Sequence, residues 1–449
     1  MSNSRLARFS AGRVILFALF CTILIGTALL SLPMARRAPM SLLDLFFTAT
    51  SATCVTGLFT VPLDHFTTFG HGVLLLLIQI GGLGVITLTL FIFSLFANLG
   101  LTTQLMAGKL LELESWKNIK HLLLFIIIVA ISAELLGALA LFTVFIKTYT
   151  PGYAAFLALF HSVSFFCSAG ITLFNNSLQL FAHDGTMLIT ATLLMLLGGV
   201  GFVTLYEIYE HFYHFPSGKH HHFSLQSRIV LYGTLIGIFV TMAIVYAIER
   251  NHAFEHMSTL YALMSSLFHA VSFRSTGLLT LPVSHLQIAT LFLIMIVGFI
   301  GSAPSSTGSG IRTTTMAIYM AVVQAALEGH GSVNILGRRI AKDQVNKAIA
   351  IFSLGICWII VSIFALLVLE PHFRFTDIIF ETMCAFTNLG SSTGITPMLS
   401  VGGKTLIILS MIFGRIGALT LILALRKIAI RKDTGQSEII YPEERIMLS

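Results

Sequence analysis

Thr56-Gly57-Leu58-Phe59-Thr60-Val61-Pro62 and Thr276-Gly277-Leu278-Leu279-Thr280-Leu281-Pro282 spell one pattern twice, T-G-L-x-T-x-P. A second pair lies close by: Phe160-His161-Ser162-Val163-Ser164-Phe165 returns as Phe268-His269-Ala270-Val271-Ser272-Phe273. A phenylalanine precedes a glycine by ten residues at Phe47/Gly57, Phe160/Gly170 and Phe380/Gly390, and by nine at Phe268/Gly277. Before each glycine runs a short apolar stretch, at residues 41–53, 153–166, 258–273 and 376–386. At 1.5 Å per residue, about 12–15 helical residues reach only halfway through a hydrocarbon core of ~30 Å. Backbone that breaks at that depth must be buried in protein or line a watery cavity. Four such breaks predict four re-entrant loops around one axis.

The rest of the chain supplies the membrane setting. Of 449 residues, 56% are apolar and 10% charged, against about 25% charged in soluble domains. Windows 14–32, 73–97, 186–206, 229–248 and 348–369 carry no formal charge and are long enough to span. Windows 122–146, 287–324 and 405–425 add Glu134, Arg312 and Arg415 respectively, which brings the expected spans to eight. No small-x-small cleavage site follows the first apolar stretch, so it is expected to be the first span. With the N-terminus inside, 17 of the 26 Lys and Arg fall on the cytoplasmic side. That is the positive-inside asymmetry of a multi-pass plasma-membrane protein with both termini cytoplasmic. The net charge of +7 therefore reports orientation in a lipid bilayer, and no nucleic-acid partner is expected. Five cysteines without a Cys-x-x-Cys spacing point to neither a disulfide scaffold nor a zinc site.

A half-helix entering from outside ends with its carbonyls and negative dipole end near mid-membrane. Four such ends suit a cation, and the extended segment after each can offer carbonyls in place of the hydration shell. Gly57, Gly170, Gly277 and Gly390 are the candidate filter glycines, since a residue without Cβ tolerates the backbone angles and close packing required. The preceding residues, Val55 and Thr56, Ser168 and Ala169, Ser275 and Thr276, and Asn388 and Leu389, complete the candidate ion filter. None is acidic, which disfavours a carboxylate-ring filter for divalent ions. Glycine serving helix packing alone is the competing explanation, and it leaves the half-length helices unaccounted for.

These residues resemble the Trk/Ktr/HKT superfamily of cation transporters over essentially the whole chain. The resemblance rests on Cys54-Val55-Thr56-Gly57-Leu58, Gly81-Gly82-Leu83-Gly84, Arg274-Ser275-Thr276-Gly277 and Gly390-Ser391-Ser392-Thr393-Gly394-Ile395-Thr396-Pro397. With eight spans it is more similar to the Ktr-type membrane subunit. The implied fold is an all-α polytopic membrane protein of four pseudo-symmetric helix–pore loop–helix units, with eight transmembrane spans and four re-entrant pore helices around a central pore. The units are expected at residues 1–100, 101–215, 216–330 and 331–449, the last with a cytoplasmic C-terminal tail. The resemblance also implies potassium uptake, often sodium-stimulated, by a homodimer seated on a cytosolic nucleotide-binding regulatory ring. Potassium is then cargo, sodium a candidate activating or coupling ion, and no covalent cofactor is expected. Ser168 departs from the Asn of many members and Leu278 from the frequent Phe. Gly57 matches potassium-preferring members, where several sodium-selective plant relatives carry serine.

The stretch from Gly298 through Gly301, Ser302, Pro304, Ser305, Ser306, Thr307, Gly308 and Ser309 to Gly310 cannot stay helical. Proline costs ~3 kcal/mol and each glycine ~1 kcal/mol in a helix interior. It is expected to be an intramembrane gating loop peculiar to the third unit, as the resemblance implies, with a bent packed helix as the alternative. Arg415, mid-span at a cost of roughly 2.5–3.5 kcal/mol, is expected to complete the gate by binding carbonyls of that loop; satisfying helix ends for folding alone is its alternative. Arg274 is expected to brace filter-loop carbonyls, and Asp44, Asp377 and Glu381 to cap pore-helix starts. Glu134 reads as a hydrogen-bonded carboxyl or a coupling group. His211, His214 and His220–His222 read as a solvated loop rather than a metal site.

Three other classes compete. An inverted-repeat secondary transporter would carry two inverted halves and midplane acids. An intramembrane enzyme would need a nucleophile–base pair or a metal motif; H-E-x-x-H does not occur, and the one G-x-S-x-G spelling, Gly390-Ser391-Ser392-Thr393-Gly394, falls in the fourth pore loop and not between a strand and a helix, so no enzymatic activity is expected. A receptor or purely structural membrane protein would leave the four loops unexplained. A sodium-conducting or ion-coupled transporter of the same architecture remains the nearest alternative function.

Overall fold

The computed structural model describes residues 11–84, 119–214 and 223–417. The chain there is helical, with one two-residue hairpin. In order the helices are α1 (Ala11–Ser31), α2 (Leu42–Cys54), α3 (Thr68–Leu83), α4 (Ile119–Phe145), α5 (Pro151–Phe166), α6 (Gly185–Gly199) and α7 (Phe202–His214). They continue with α8 (Leu225–Glu249), α9 (Thr259–Ser275), α10 (Ile288–Ile300), α11 (Thr313–Leu327), α12 (Lys342–Leu369), α13 (Phe375–Thr387) and α14 (Val401–Ile416). Between α11 and α12, β1 (Asn334–Ile335) pairs antiparallel with β2 (Arg338–Arg339) through left-handed Leu336 and Gly337.

The four short apolar stretches are helices α2, α5, α9 and α13, within two residues of the expected limits. Their starts are chemically marked. Ser41 Oγ accepts the Asp44 amide at 3.1 Å, Pro151 opens α5 where a missing N–H costs nothing, and Ser258 Oγ faces the Tyr261 amide. Each short helix follows a longer one, and a further helix follows it. The following helix of one set packs on the short helix of the next: α3 on α5, α6 on α9, α10 on α13, and α14 back on α2. That cyclic relation gives the molecule a ring of helices with the short ones inside.

Large apolar side chains stand exposed, and hydroxyl side chains are buried alongside an apolar core. Phe17, Leu76, Leu136, Ile236 and Phe364 stand exposed on the rim, while Thr48, Thr50, Ser51, Ser162, Ser164, Ser272 and Thr387 are buried. Lipid solvates the first group, and the second group find hydrogen bonds inside. The ends of the longer helices are tied on the face where the short helices begin. Thr67, ahead of α3, donates its amide to Ala35 O at 3.1 Å. Glu249, closing α8, accepts the Gln287 amide at 3.0 Å, and Glu370, just past α12, accepts the Ser400 amide at 2.7 Å.

Several expected spans are corrected. Helices α4, α8 and α12 are unbroken and long and apolar enough to cross a membrane, and α1 takes up the first window to Ser31. Window 186–206 is not one helix: α6 stops at Gly199, and α7 leaves at 96° to it. Window 287–324 is two helices, α10 and α11, around residues 301–312. In the windows 73–97 and 405–425, α3 ends at Leu83 and α14 at Ile416, and the remainders lie partly outside the described residues.

Candidate functional site

The C-terminal ends of the short helices are built alike. Past α2, α5 and α13 stands one left-handed residue: Val55 (φ 59°), Ser168 (φ 56°) and Asn388 (φ 54°). Each turns the chain so that the next amide bonds back into the helix: Thr56 N to Ser51 O, Ala169 N to Ser164 O, Leu389 N to Cys384 O. Helix α9 lacks that residue. It continues through Ser275, and Gly277 N takes the equivalent bond to Ser272 O at 2.9 Å. The nine-residue interval from Phe268 to Gly277, against ten elsewhere, has this cause.

The four glycines meet. The space where a Gly57 Cβ would sit is bounded by the carbonyl oxygens of Ala169 (2.7 Å) and Gly170 (2.9 Å). A Cβ on Gly170, at φ +64°, would collide with Thr276 O and lie 3.2 Å from Gly390 Cα. One on Gly277 would lie 2.7 Å from Gly390 N, and Gly390 N donates to Thr276 O at 2.8 Å. Ser391 Oγ donates to Gly277 O. Asn388 Nδ2 reaches across to Thr56 Oγ1 at 2.7 Å and to Met411 O at 3.1 Å. The segments around Gly57, Gly170, Gly277 and Gly390 thus form one cluster rich in main-chain carbonyls, with Thr56, Ala169, Thr276 and Leu389 buried beside them.

Behind this cluster sits a scaffold that the sequence reading missed. Ser51 Oγ accepts the Gly57 amide at 3.1 Å; Ser164 Oγ donates to Ile171 O at 2.6 Å; Ser272 Oγ donates to Leu278 O at 2.7 Å. All three lie four residues after the repeated phenylalanine, and Cys384 holds that register in α13, so F-x-x-x-S was the available signal. The residue directly after the phenylalanine also braces the outer segment. His161 Nε2 accepts the Leu173 amide at 3.3 Å, and His269 Nε2 accepts the Thr280 amide at 3.2 Å. An accepting Nε2 puts the proton of each ring on Nδ1. In α13 that register is Glu381, whose carboxylate accepts from Ser392 Oγ at 3.0 Å and from Thr396 Oγ1. Glu381 therefore does not cap a helix start; it is buried in mid-helix and holds the segment after Gly390.

Below the cluster, all four helices that come after a short helix end in G-x-x-G: Gly81/Gly84, Gly198/Gly201, Gly298/Gly301 and Gly414/Gly417. The second glycine has positive φ in every case (84°, 92°, 68° and 87°), a region closed to most side chains. A Cβ on the first would strike Thr53 O, Phe166 O, Leu389 Cδ1 and Phe386 O respectively. The break expected only in the third unit is thus common to all four. After the third comes a long loop from Gly301 to Gly310, pinched at its neck by Ser302 N to Ser309 O (3.2 Å) and Ile311 N to Phe299 O (3.1 Å).

Arg415 occupies the second position of the last G-x-x-G. Its Nη1 donates to Thr307 O at 2.6 Å and Ser309 Oγ at 3.3 Å, and Nη2 donates to Gly81 O. Phe202 N donates to Ser305 O, and Ser306 Oγ to Ala303 O. Arg312, left-handed at φ 87°, holds the loop from within through Ala303 O (3.3 Å) and Gly308 O; the sequence reading gave it no role. Arg274 departs from its expected place, reaching Thr313 Oγ1 at 3.3 Å at the start of α11. Glu134 is buried in α4, accepting from Gln79 Nε2 at 3.1 Å and lying 3.9 Å from Cys167 Sγ. His211 packs against the Phe212 and Phe223 rings, while His220–His222 lie outside the described residues.

Broken helices, buried polar side chains and an apolar rim define a polytopic helical membrane protein. Residues 18–433 match the TrkH family, described as cation transport protein, and the chain belongs to that family. It is 33% identical over 443 residues to Ktr system potassium uptake protein B of Bacillus subtilis (strain 168), covering 98% of this chain and 97% of that one. It is 31% identical over 452 residues to potassium/sodium uptake protein NtpJ of Enterococcus hirae, covering 98% of both. The crystal structure of the potassium transporter TrkH from Vibrio parahaemolyticus shares the fold, with TM-score 0.71 at 20% identity over 93% of this chain and 86% of that one.

Proposed function

We propose that this chain takes up potassium across the plasma membrane through a filter of main-chain carbonyls, and that it acts as transporter rather than enzyme. The observation that carries the reading is the meeting of Gly57, Gly170, Gly277 and Gly390 at the ends of four half-length helices. Each helix end contributes a partial negative charge of about half an elementary charge. Carbonyls held there exchange for a monovalent cation's water at little reorganisation cost. The four helix–loop–helix units, at residues 1–100, 101–215, 216–330 and 331–449, surround that pore.

The loop 301–310, with Gly298 in the last turn of α10 leading into it, and Arg415 form the gate in this reading. A guanidinium beneath a cation filter repels the permeating ion, and its bonds to Thr307 O and Gly81 O keep the loop in the path. The implied assembly is a homodimer on a cytosolic nucleotide-binding ring, with sodium stimulating flux; names of the Ktr-system type among the relatives support a multi-component arrangement. The Enterococcus relative, named for potassium and sodium, favours a second reading in which sodium is itself carried.

Uptake of potassium and sodium by transport-deficient cells tests both readings. Wild type is expected to restore potassium uptake, Gly57→Ser to lose potassium preference, and Arg415→Ala to raise flux at equal expression. Sodium uptake with no potassium preference in wild type would favour the second reading, and unchanged flux in Arg415→Ala would remove the gate assignment.

A further inference from the structure

Thr307 is the residue through which the loop hydrogen-bonds to the second filter segment. It is fully buried, and every polar group it has is engaged. Its amide donates to Gly198 O at 3.1 Å, its carbonyl accepts Arg415 Nη1 at 2.6 Å, and its hydroxyl lies 3.1 Å from Phe166 O and 3.0 Å from Ser168 Oγ. Phe166 O is an acceptor only, so the Thr307 hydroxyl donates there and Ser168 Oγ donates to Thr307. The loop therefore caps the carbonyl end of α5 and supports the left-handed residue that turns the chain into the Ala169–Gly170 segment.

The corresponding turns do not depend on the loop in this way. Val55 has no side-chain donor, and Asn388 is long enough to reach Thr56 Oγ1 and Met411 O by itself. Ser168, one atom shorter in reach and departing from asparagine, takes its partner from the loop. We infer that Thr307 is a specificity-determining positioning residue: through Ser168 it sets the shape of the second filter segment, so that ion selectivity depends on whether the loop is seated. This rests on the filter-and-gate reading above. Displacing the loop removes one hydrogen bond from Ser168 in filter segment two and one from Phe166 O at the end of α5, and leaves the third and fourth segments with their own link, Gly390 N to Thr276 O.

The test compares wild type with Thr307→Val, which keeps shape and loses the hydroxyl, Thr307→Ser, which keeps the hydroxyl, Ser168→Ala, and the double variant Thr307→Val/Ser168→Ala. The readout is the ratio of potassium to sodium uptake in cells, with thermal stabilisation of the purified protein by potassium or sodium chloride as a second measurement that needs no flux. Thr307→Val and Ser168→Ala are each expected to lower the ratio about fivefold, the loss of the one hydrogen bond they share, between Ser168 Oγ and Thr307 Oγ1. The double variant is expected to do no worse than either single one, and Thr307→Ser to stay at wild type. Ratios unchanged in both single variants while flux rises would overturn the inference and leave a gate without a filter contact. Effects that multiply in the double variant would also overturn it, because the two hydroxyls would then act separately. Should Thr307→Val fail to fold, Ser168→Ala removes the same contact from the filter side and decides alone. Absence of potassium uptake in wild type would instead strike the transport reading, and ion-specific stabilisation would still report on the Thr307–Ser168 contact.

Discussion

At the scale of single residues, the site depends on atoms that are missing. A Cβ on Gly170 has nowhere to go: Thr276 O blocks it, and the backbone at φ +64° is left-handed. Gly170→Ala is expected to cost about 1–2 kcal/mol for the conformation and about 1–3 kcal/mol for the overpacking. A thermal melt in detergent should show the lower midpoint, and uptake should be abolished; an alanine variant with wild-type melting and uptake would mean that the four segments do not pack as described. Glycines of this kind were legible in the sequence because the constraint is on the backbone and only one residue type satisfies it. The supporting side chains were not. Val55, Ser168 and Asn388 were placed beside the filter glycines by position, but they share one left-handed conformation and no chemistry, so nothing in residue type marks the turn they make. Ser51, Ser164 and Ser272 were readable through F-x-x-x-S, and Glu381 was misread as a cap because its equivalence to His161 and His269 lies in register and not in kind.

At the scale of elements, short helices are held by their first turns as much as by their last. Lys404 at the start of α14 donates to Asp44 Oδ1 at 2.8 Å at the start of α2, and both side chains are 15% exposed. Asp44 sits at the mouth of a re-entrant helix, outside the spanning segments, and Ser41 Oγ donates to it at 2.6 Å. Burial pushes its carboxyl up, but the hydrogen bonds from Lys404 and Ser41 and the Lys404 charge outweigh burial and hold it below the ordinary 3.8. A carboxyl with a depressed folded value contributes stability above the unfolded value and loses it as pH falls through the folded one. Asp44→Asn is therefore expected to lower the melting midpoint near neutral pH by the equivalent of about 1 kcal/mol, with the gap to wild type closing below roughly pH 4. A gap that persists unchanged at low pH would show that the ion pair is not what joins α2 to α14. The lengths of the four short helices and of α1, α4, α8 and α12 were legible, since hydropathy and rise fix them. The bend between α6 and α7 was not, because Gly198-Gly199-Val200-Gly201 leaves the window uncharged and apolar while removing the side chains that keep a helix straight.

At the scale of the whole molecule, the four sets share the short helix, the filter glycine and the terminal G-x-x-G, and differ in what fills the variable positions. The second residue of that motif is Gly82, Gly199, Phe299 or Arg415, so a common break carries a charge in only one set. In the proposed reading selectivity belongs with the shared parts and gating with the unshared ones, which gives the proposed gate a definite side of the membrane. Asp44 and Lys404, Glu249 and Gln287, and Glu370 and Ser400 gather on the face where the short helices start. On the opposite face, the segment from β1 to the start of α12 carries Arg338, Arg339 and Lys342, and the positive-inside rule assigns that face to the cytoplasm. With the half-buried Cys21 and the exposed Cys357 replaced by serine, Lys147→Cys between α4 and α5 should react with a membrane-impermeant maleimide on intact cells, and Asn334→Cys in β1 only after the membrane is opened. Both substituted positions are exposed, and Cys54, Cys167 and Cys384 are buried, so labelling reports the chosen site. The reverse pattern would turn the filter toward the cytoplasm and put Arg415 on the outer side of it, where a cytosolic partner could not reach the loop it holds.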